Sequence, residues 1–339
     1  MTDPPEESTL ERASADATPQ DASEDDVTLE KISPDVAFGL LASDVRIAIL
    51  RALWEAPEST LSFAALRRQT AAETNNFDYH LRQLLGHFVR QTEDGYSLRY
   101  AGTAVMRAVI GGVLTENPQL SPQEIDARCP YCGSTVELRY DDEILTARCT
   151  DCGGVIEDEE YPRGTYMRYA FPPAGLVERG PDDVLDAAHV FYDSKLTPMM
   201  NDVCPECAAT TTRSFDVCDN HAPDNNGLCD TCKTRFEVWT EYVCDRCQYS
   251  RTAPIWFEIL NLPVVIAFLH QHGNLARSVP LKKLTWDSSP SIRSIRGTRI
   301  EKEPNRFRVT VPVDETVLTL ELDDSLDLLE STVRSRGSR

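Results

Sequence analysis

Eleven cysteines mark this chain of 339 residues: ten fall into five C-x-x-C pairs, and Cys218 is left over. Cysteines at that spacing suit a metal ion, because two such pairs can close a tetrahedron of thiolates around Zn²⁺. Cys129-Pro-Tyr-Cys132-Gly is followed by Cys149-Thr-Asp-Cys152-Gly, and the intervening VELRYDDEILTARC alternates in polarity about Asp141-Asp142. The alternation reads as a hairpin, and the glycines let backbone amides approach the sulfurs. This pattern predicts a zinc ribbon with Cys129, Cys132, Cys149 and Cys152 as ligands. Four thiolates leave no open coordination position, so the expected role is structural.

Residues 204–247 suggest a use for the odd cysteine. Cys204-Pro-Glu-Cys207, ten residues and Cys218-Asp-Asn-His221 lie against Cys229-Asp-Thr-Cys232, eleven residues and Cys244-Asp-Arg-Cys247. The spacers also rhyme, TTRSFDV against KTRFEVWTEYV. His221 stands where a fourth cysteine would be, and neutral imidazole binds Zn²⁺ beside thiolates. Eleven cysteines and one histidine then make twelve ligands, or three zinc ions per chain. The competing reading makes His221 a surface loop residue and Cys218 a small buried hydrophobe. A duplication most simply keeps each unit whole, which favours pairing the knuckles sequentially. A crossed arrangement would join the first knuckle to the third and the second to the fourth. His270 and His272 end an apolar helix without ligand partners nearby in sequence, and His189 falls in the helical stretch LDAAHVFYDSKL, where packing or solvent contact accounts for it.

The surrounding elements divide the chain. Residues 34–116 read as three helices and a hairpin. Ser43 can cap a helix with Ile47, Leu50 and Trp54 on one stripe, and a short helix follows around Phe63 and Leu66. After a turn near Ala71–Thr74, a third helix carries Phe77, Leu81, Leu84 and Phe88 on one face, with Asn75, Asn76, Asp78, Tyr79 and Arg82 away from it. FVRQT and YSLRY then alternate about Asp94-Gly95, a two-residue hairpin signal, and a helix from Ala104 to Gly111 closes the unit. This order predicts a winged helix-turn-helix. Its second helix of the turn suits the DNA major groove, where Asn75 and Asn76 can read base edges and Arg82 a phosphate or guanine. Arg90 and Arg99 are candidates for the adjacent backbone.

The segment LLASDVRIAILRALWEA…LSFAALRRQTAAETNNFDYHLRQLLGHFVRQTEDGYSLRYAGTAVMRAVIGG resembles the ArsR-type winged helices of haloarchaeal transcription regulators, most specifically in FDYHLRQLLGHFV. The resemblance covers about a quarter of the chain and implies that Thr74, Asn75, Asn76, Asp78, Tyr79 and Arg82 face DNA, with His80 structural. Metal-sensing members carry cysteines ahead of the recognition helix; this module has none, so metal belongs to the later modules.

The expected fold class is therefore α+β: an acidic disordered tail (1–33), the winged helix (34–116), a zinc ribbon (121–160), a linker with a helix (161–200), a duplicated zinc-knuckle region (201–252) and a C-terminal module (253–339). In the last, Pro263 opens a helix, RFRVTVPV and TVLTLEL form a hairpin, and a short terminal helix ends the chain. Fifty-five acidic against 34 basic residues give a net charge of −21. The excess fits a halophilic host, with a protein that unfolds at low salt, and the family resemblance implies that the host is archaeal. Residues 1–33 hold ten acids and two bases and little apolar material, whereas 34–116 are near neutral and 277–308 hold nine bases and three acids. Those two stretches can tolerate a polyanion. The N-terminus shows no secretory pattern and no apolar run spans a bilayer, so a cytoplasmic location without membrane contact is expected, with reduced thiols free for metal.

The function expected is a DNA-binding transcription regulator whose partner is double-stranded DNA, its zinc modules serving assembly or signal input. A homodimer and a protein partner on the zinc modules are compatible with it. Motifs of metalloproteases, serine hydrolases, P-loop enzymes and nucleobase deaminases are missing, so no enzyme is expected. The alternative is a zinc-ribbon adaptor that binds protein or RNA without sequence-specific DNA recognition.

Overall fold

The computed structural model describes residues 31–70, 76–177, 179–272 and 294–335. The chain is a mixed α and β protein with several small antiparallel sheets, divided into two compact units, to Met106 and from Arg107. The acidic tail up to residue 30, the turn at Ala71–Thr74 and most of the basic stretch after 277 lie outside the described residues.

In the first unit, α1 (Pro34–Leu41) starts where Ser33 accepts the Val36 amide at 3.4 Å, with proline in its first turn. Next come α2 (Asp44–Glu55), α3 (Phe63–Gln69), α4 (Phe77–Leu84), strands β1 (Val89–Thr92) and β2 (Gly95–Leu98), and α5 (Tyr100–Ile110). Ser62 caps α3 through the Ala65 amide at 3.3 Å. Ser43 precedes α2 but makes no side-chain capping bond.

The expected stripe on α2 needs correction. Ile49, Leu50, Ala52 and Leu53 are buried, whereas Trp54 is exposed and Ile47 only half-buried. The core formed by α4 settles which side of α2 is covered: Phe77, Leu81 and Leu84 are at most 2% exposed and join Leu50, Leu53, Leu66 and Met106 in one cluster. The hairpin also turns one residue earlier than its sequence signal, since Thr92 pairs with Gly95 and the loop is Glu93-Asp94. Gly95 is required for a different reason. Its φ is +137°, and a Cβ there would lie 2.4 Å from the Leu61 carbonyl oxygen, which accepts the Tyr96 amide at 2.9 Å. The closing helix α5 begins at Tyr100, ahead of the expected Ala104.

The second unit contains three antiparallel sheets with sequential strand order. β3 (Leu120–Arg128), β4 (Thr135–Asp141), β5 (Ile144–Cys149) and β6 (Thr165–Ala170) form the first. The turn between β4 and β5 is Asp142-Glu143, both with positive φ, as a two-residue hairpin with right-handed strand twist demands. Helix α6 (Pro181–Met199) follows, then the sheet β7 (Thr211–Val217), β8 (Val238–Cys244) and β9 (Ser250–Pro254). A 3-10 segment, Ile255–Asn261, leads into α7 (Pro263–Gln271), and β10 (Arg296–Lys302), β11 (Asn305–Val313), β12 (Thr316–Leu322) and β13 (Leu328–Ser335) make the last sheet.

Two expectations change here. The last described element is strand β13, paired along β12 from Thr316–Ser335 to Leu322–Leu328, where a short helix was expected. Pairing with β12 satisfies the backbone groups on one side of this edge strand, and Leu328, Leu329 and Val333 stay exposed on it. The stretch 161–200 is not only a linker, since β6 completes the first sheet. Val136, Leu138, Tyr140, Leu185, Val238, Tyr242, Trp256, Phe257, Phe307 and Leu320 belong to one continuous core that crosses the stretches 121–160, 161–200, 201–252 and 253–339.

Candidate metal centres

The cysteine pairs share a backbone device. At Cys129, Cys204, Cys229 and Cys244 the amide donates to the carbonyl five residues on, and the carbonyl accepts the amide four residues on, all at 2.8–3.1 Å. The fourth residue after each, Gly133, Ala208, Lys233 and Gln248, has positive φ. This tight reversal points further amides at the sulfurs. Tyr131, Glu206 and Arg246 each donate to the preceding knuckle cysteine, Cys129, Cys204 and Cys244, at 3.4 Å. The Cys149 knuckle is closed differently: its amide bonds to the Gly164 carbonyl, and a Cβ at Gly164 (φ +87°) would lie 2.1 Å from the Cys149 oxygen.

The twelve candidate ligands come together in three groups of four, with the donor atoms of each group within 4.8 Å of one another. The first is Cys129, Cys132, Cys149 and Cys152, where β4–β5 pairing sets Cys149 opposite Val136. Its Sγ–Sγ distances are 3.7 Å (Cys129–Cys152) and 3.4 Å (Cys132–Cys149). The second is Cys204, Cys207, Cys244 and Cys247, with 3.6 Å between Cys204 and Cys247 and 3.5 Å between Cys207 and Cys244. The third is Cys218, His221, Cys229 and Cys232, with the His221 Nδ1 3.4 Å from the Cys232 Sγ. Sulfurs at these separations are too far apart for a disulfide. They match the edge of a tetrahedron with metal–sulfur bonds of about 2.3 Å, which is roughly 3.8 Å. The donor sets therefore fit structural metal ions.

The pairing of the last four knuckles is neither sequential nor crossed. It is nested: first with fourth, second with third. Antiparallel pairing explains this. Thr211 faces Cys244 and Val217 faces Val238, so the knuckle before β7 meets the one after β8, while Cys218 to Cys232 occupy the opposite end. The duplication visible in the ligand spacing is not one of structural units, and residues 218–221 lack the knuckle reversal: the Cys218 amide bonds to the Glu237 carbonyl at 3.0 Å.

In the third group the His221 Nε2 lies 3.2 Å from the Arg235 carbonyl. A carbonyl only accepts, so Nε2 carries the proton and the lone pair of Nδ1 is left facing the sulfurs. Among the other histidines, His270 is exposed, His189 is buried in α6, and His272 bonds the Phe268 carbonyl at 2.8 Å and the Thr316 hydroxyl at 2.9 Å.

Electrostatics favour one ready thiolate per group. The hydrogen bond from the Cys129 thiol pulls Cys152 down to about 5, while the same bond pushes Cys129 far above the usual thiol range. The Ala222 amide lowers Cys229 to about 6, and the Cys247 amide lowers Cys244 to about 6. A divalent cation would stabilise the remaining sulfurs as thiolates.

Arg235 was not singled out in the sequence, although it sits in KTRF, one half of the rhyme. Its Nε donates to the Gly154 carbonyl at 2.6 Å, its Nη2 to the Asn226 carbonyl at 2.9 Å, and the same Nη2 lies 3.8 Å from the Cys152 Sγ. The guanidinium also stacks 4.4 Å above the Tyr131 ring. It thereby joins the first and third groups. Its counterpart Arg213 donates to the Ser325 carbonyl at 2.7 Å. Asp219, inside the third group's loop, is ion-paired to Arg299 at 2.6 Å and Lys302 at 2.9 Å on β10, and both cations hold its carboxyl below the usual range.

The candidate DNA residues lie in the first unit, and Thr74 and Asn75 are outside the described residues. Asn76, Asp78, Tyr79 and Arg82 are exposed at the start and on the outer face of α4. Asn76 makes no side-chain capping bond, Tyr79 is 57% exposed, and Arg82 pairs with Asp78 at 2.7 Å. Arg90, on β1, donates from Nε to the Ser97 hydroxyl at 2.9 Å, and Arg99 lies between β2 and α5, outside the hairpin.

These features define a two-part protein, one unit helical with a small hairpin and one built of sheets around three metal-ligand groups. Residues 126–328 match the family described as a domain of unknown function, DUF7351, and the chain belongs to that family. Residues 34–109 match a second domain of unknown function, DUF7347. No curated protein and no solved structure matches the chain.

Proposed function

We propose that this chain is a DNA-binding transcription regulator: residues 34–116 act as a winged helix-turn-helix on double-stranded DNA, and the second unit is a zinc-ribbon scaffold for assembly or signal input. The observation that carries the reading is α4. One face is sealed into the core by Phe77, Leu81 and Leu84, and the other presents Asn76, Asp78, Tyr79 and Arg82 to solvent. An amphipathic helix with polar residues at its exposed N-terminal turn, followed by a hairpin, suits the major groove and the flanking backbone. Zinc is the ion that Cys₄ and Cys₃His sets of this size favour, and four protein donors leave it no vacant position for a substrate.

The test is selection of fragmented genomic DNA by the purified, metal-loaded protein, with genome-wide occupancy in the native host. Recovery of a common motif, lost in Tyr79→Ala, supports the proposal. Retention of protein or RNA partners with no DNA motif supports the adaptor reading instead.

A further inference from the structure

We propose that the second unit binds a small anionic aromatic molecule in the cleft between β6 and the β8–β9 pair. The cleft has a volume of about 480 Å³ and lies wholly within residues 131–257. That falls within the range of small-molecule sites, roughly 300–1,000 Å³. All its lining residues belong to the second unit, and the proposal stands whether or not the first unit binds DNA.

The walls and the polar groups specify the occupant. Tyr131, Tyr166, Trp239, Trp256 and Phe257 supply flat apolar surfaces, which suit an aromatic ring. Among the lining residues, Trp256 and Tyr169 are 4% and 7% exposed, yet the indole Nε1 and the phenol oxygen have no hydrogen-bond partner among the described residues. The buried Nε atoms of Arg168 and Arg251 are also without a partner. Three of these four groups, the indole and the two guanidinium nitrogens, can only donate, so the missing partner offers acceptors. Most buried polar groups of folded proteins are paired, and four of those left unmet among the described residues belong to side chains lining this one cleft, where an occupant would meet them.

Charge points the same way. Arg168 and Arg251 form no ion pair among the described residues and rest instead on aromatic faces, 4.9 Å from the Tyr161 ring and 4.4 Å from the Tyr249 ring. The carboxylates that line the cleft, Asp216 and Glu241, are on exposed positions of β7 and β8. Cationic planes among aromatic walls, with acids toward solvent, favour a planar anion whose carboxylate meets the guanidinium groups.

The test uses the full-length, metal-loaded protein and isothermal titration calorimetry with 2-naphthoate and its neutral twin 2-naphthamide. Saturable one-to-one binding of naphthoate is expected, with the amide at least tenfold weaker. Arg168→Met and Arg251→Met should each weaken naphthoate at least tenfold while metal content and thermal unfolding stay as in the parent. Thr252→Trp changes an exposed side chain that lines the cleft, so it should block binding without removing a core contact. Absence of saturable heat, equal affinity for acid and amide, or unchanged affinity in folded Arg168, Arg251 and Thr252 variants would each overturn the proposal.

Discussion

With Nε2 committed to the Arg235 carbonyl, His221 has one nitrogen to give, and that nitrogen faces Cys232. Removing either end of its pair should empty the third group. Cys218→Ser and His221→Ala are each expected to lower the metal content from three ions to two per chain by elemental analysis, whereas His221→Cys should keep three. Glu258 makes a separate prediction. Desolvation raises its carboxyl to about 7, with Arg213 opposing and Asp202 adding to the shift. A carboxyl raised in the folded state binds more protons there than in the unfolded chain. Its contribution to stability is thus full at low pH and disappears as pH rises from 4.5 through about 7. Glu258→Gln should therefore flatten the pH dependence and stabilise the protein at pH 8 by about 1–2 kcal/mol, allowing for partial exposure. Thermal unfolding of both proteins from pH 5 to pH 8 reads this out.

At the scale of elements, α4 lets stability be tested apart from the proposed recognition of DNA. Leu81→Ala should cost about 2–5 kcal/mol, because Leu81 is 1% exposed within the core. Asn76→Ala should leave stability unchanged but weaken operator binding by roughly 1–3 kcal/mol if it holds a base edge. In molar salt, where counterion release weakens the phosphate contacts, Arg90→Ala should hurt less. A salt-titrated binding assay showing equal losses would contradict that ordering. The apolar pattern of α4 was legible in sequence because Phe77, Leu81 and Leu84 recur on one face; Phe88, expected on the same stripe, is buried but lies beyond the helix end at Leu84. That of α2 was not, since both Leu50-to-Trp54 and Ile49-to-Leu53 stripes are apolar and only packing chooses between them. Ligand spacing likewise named the metal donors but not their partners, because nested and sequential pairings use the same residues. The register of β7 on β8, a long-range choice, decides.

For the molecule as a whole, the two units should respond differently to metal loss. All twelve donors lie beyond Met106, so a chelator should lower the unfolding temperature of the second unit and spare that of the first. Calorimetry with and without chelator would test this, and a single transition that moves intact would refute it. The sequence suggested several small modules because each cysteine cluster looks self-sufficient. The structure gives them one core, since Val136, Val238 and Phe307 come from three different sheets and belong to a single buried cluster. The nested metal groups have a further consequence, for synthesis. As the chain leaves the ribosome, the donors of the inner group are all present once Cys232 has emerged, whereas the outer group must wait for Cys247. Capture of an ion by the inner group would hold the start of β8 beside the end of β7 and shorten the loop that the outer group has to close. On that route the order of metal uptake would follow the order of translation, inner before outer, and the sheet between the two groups would close toward Cys204.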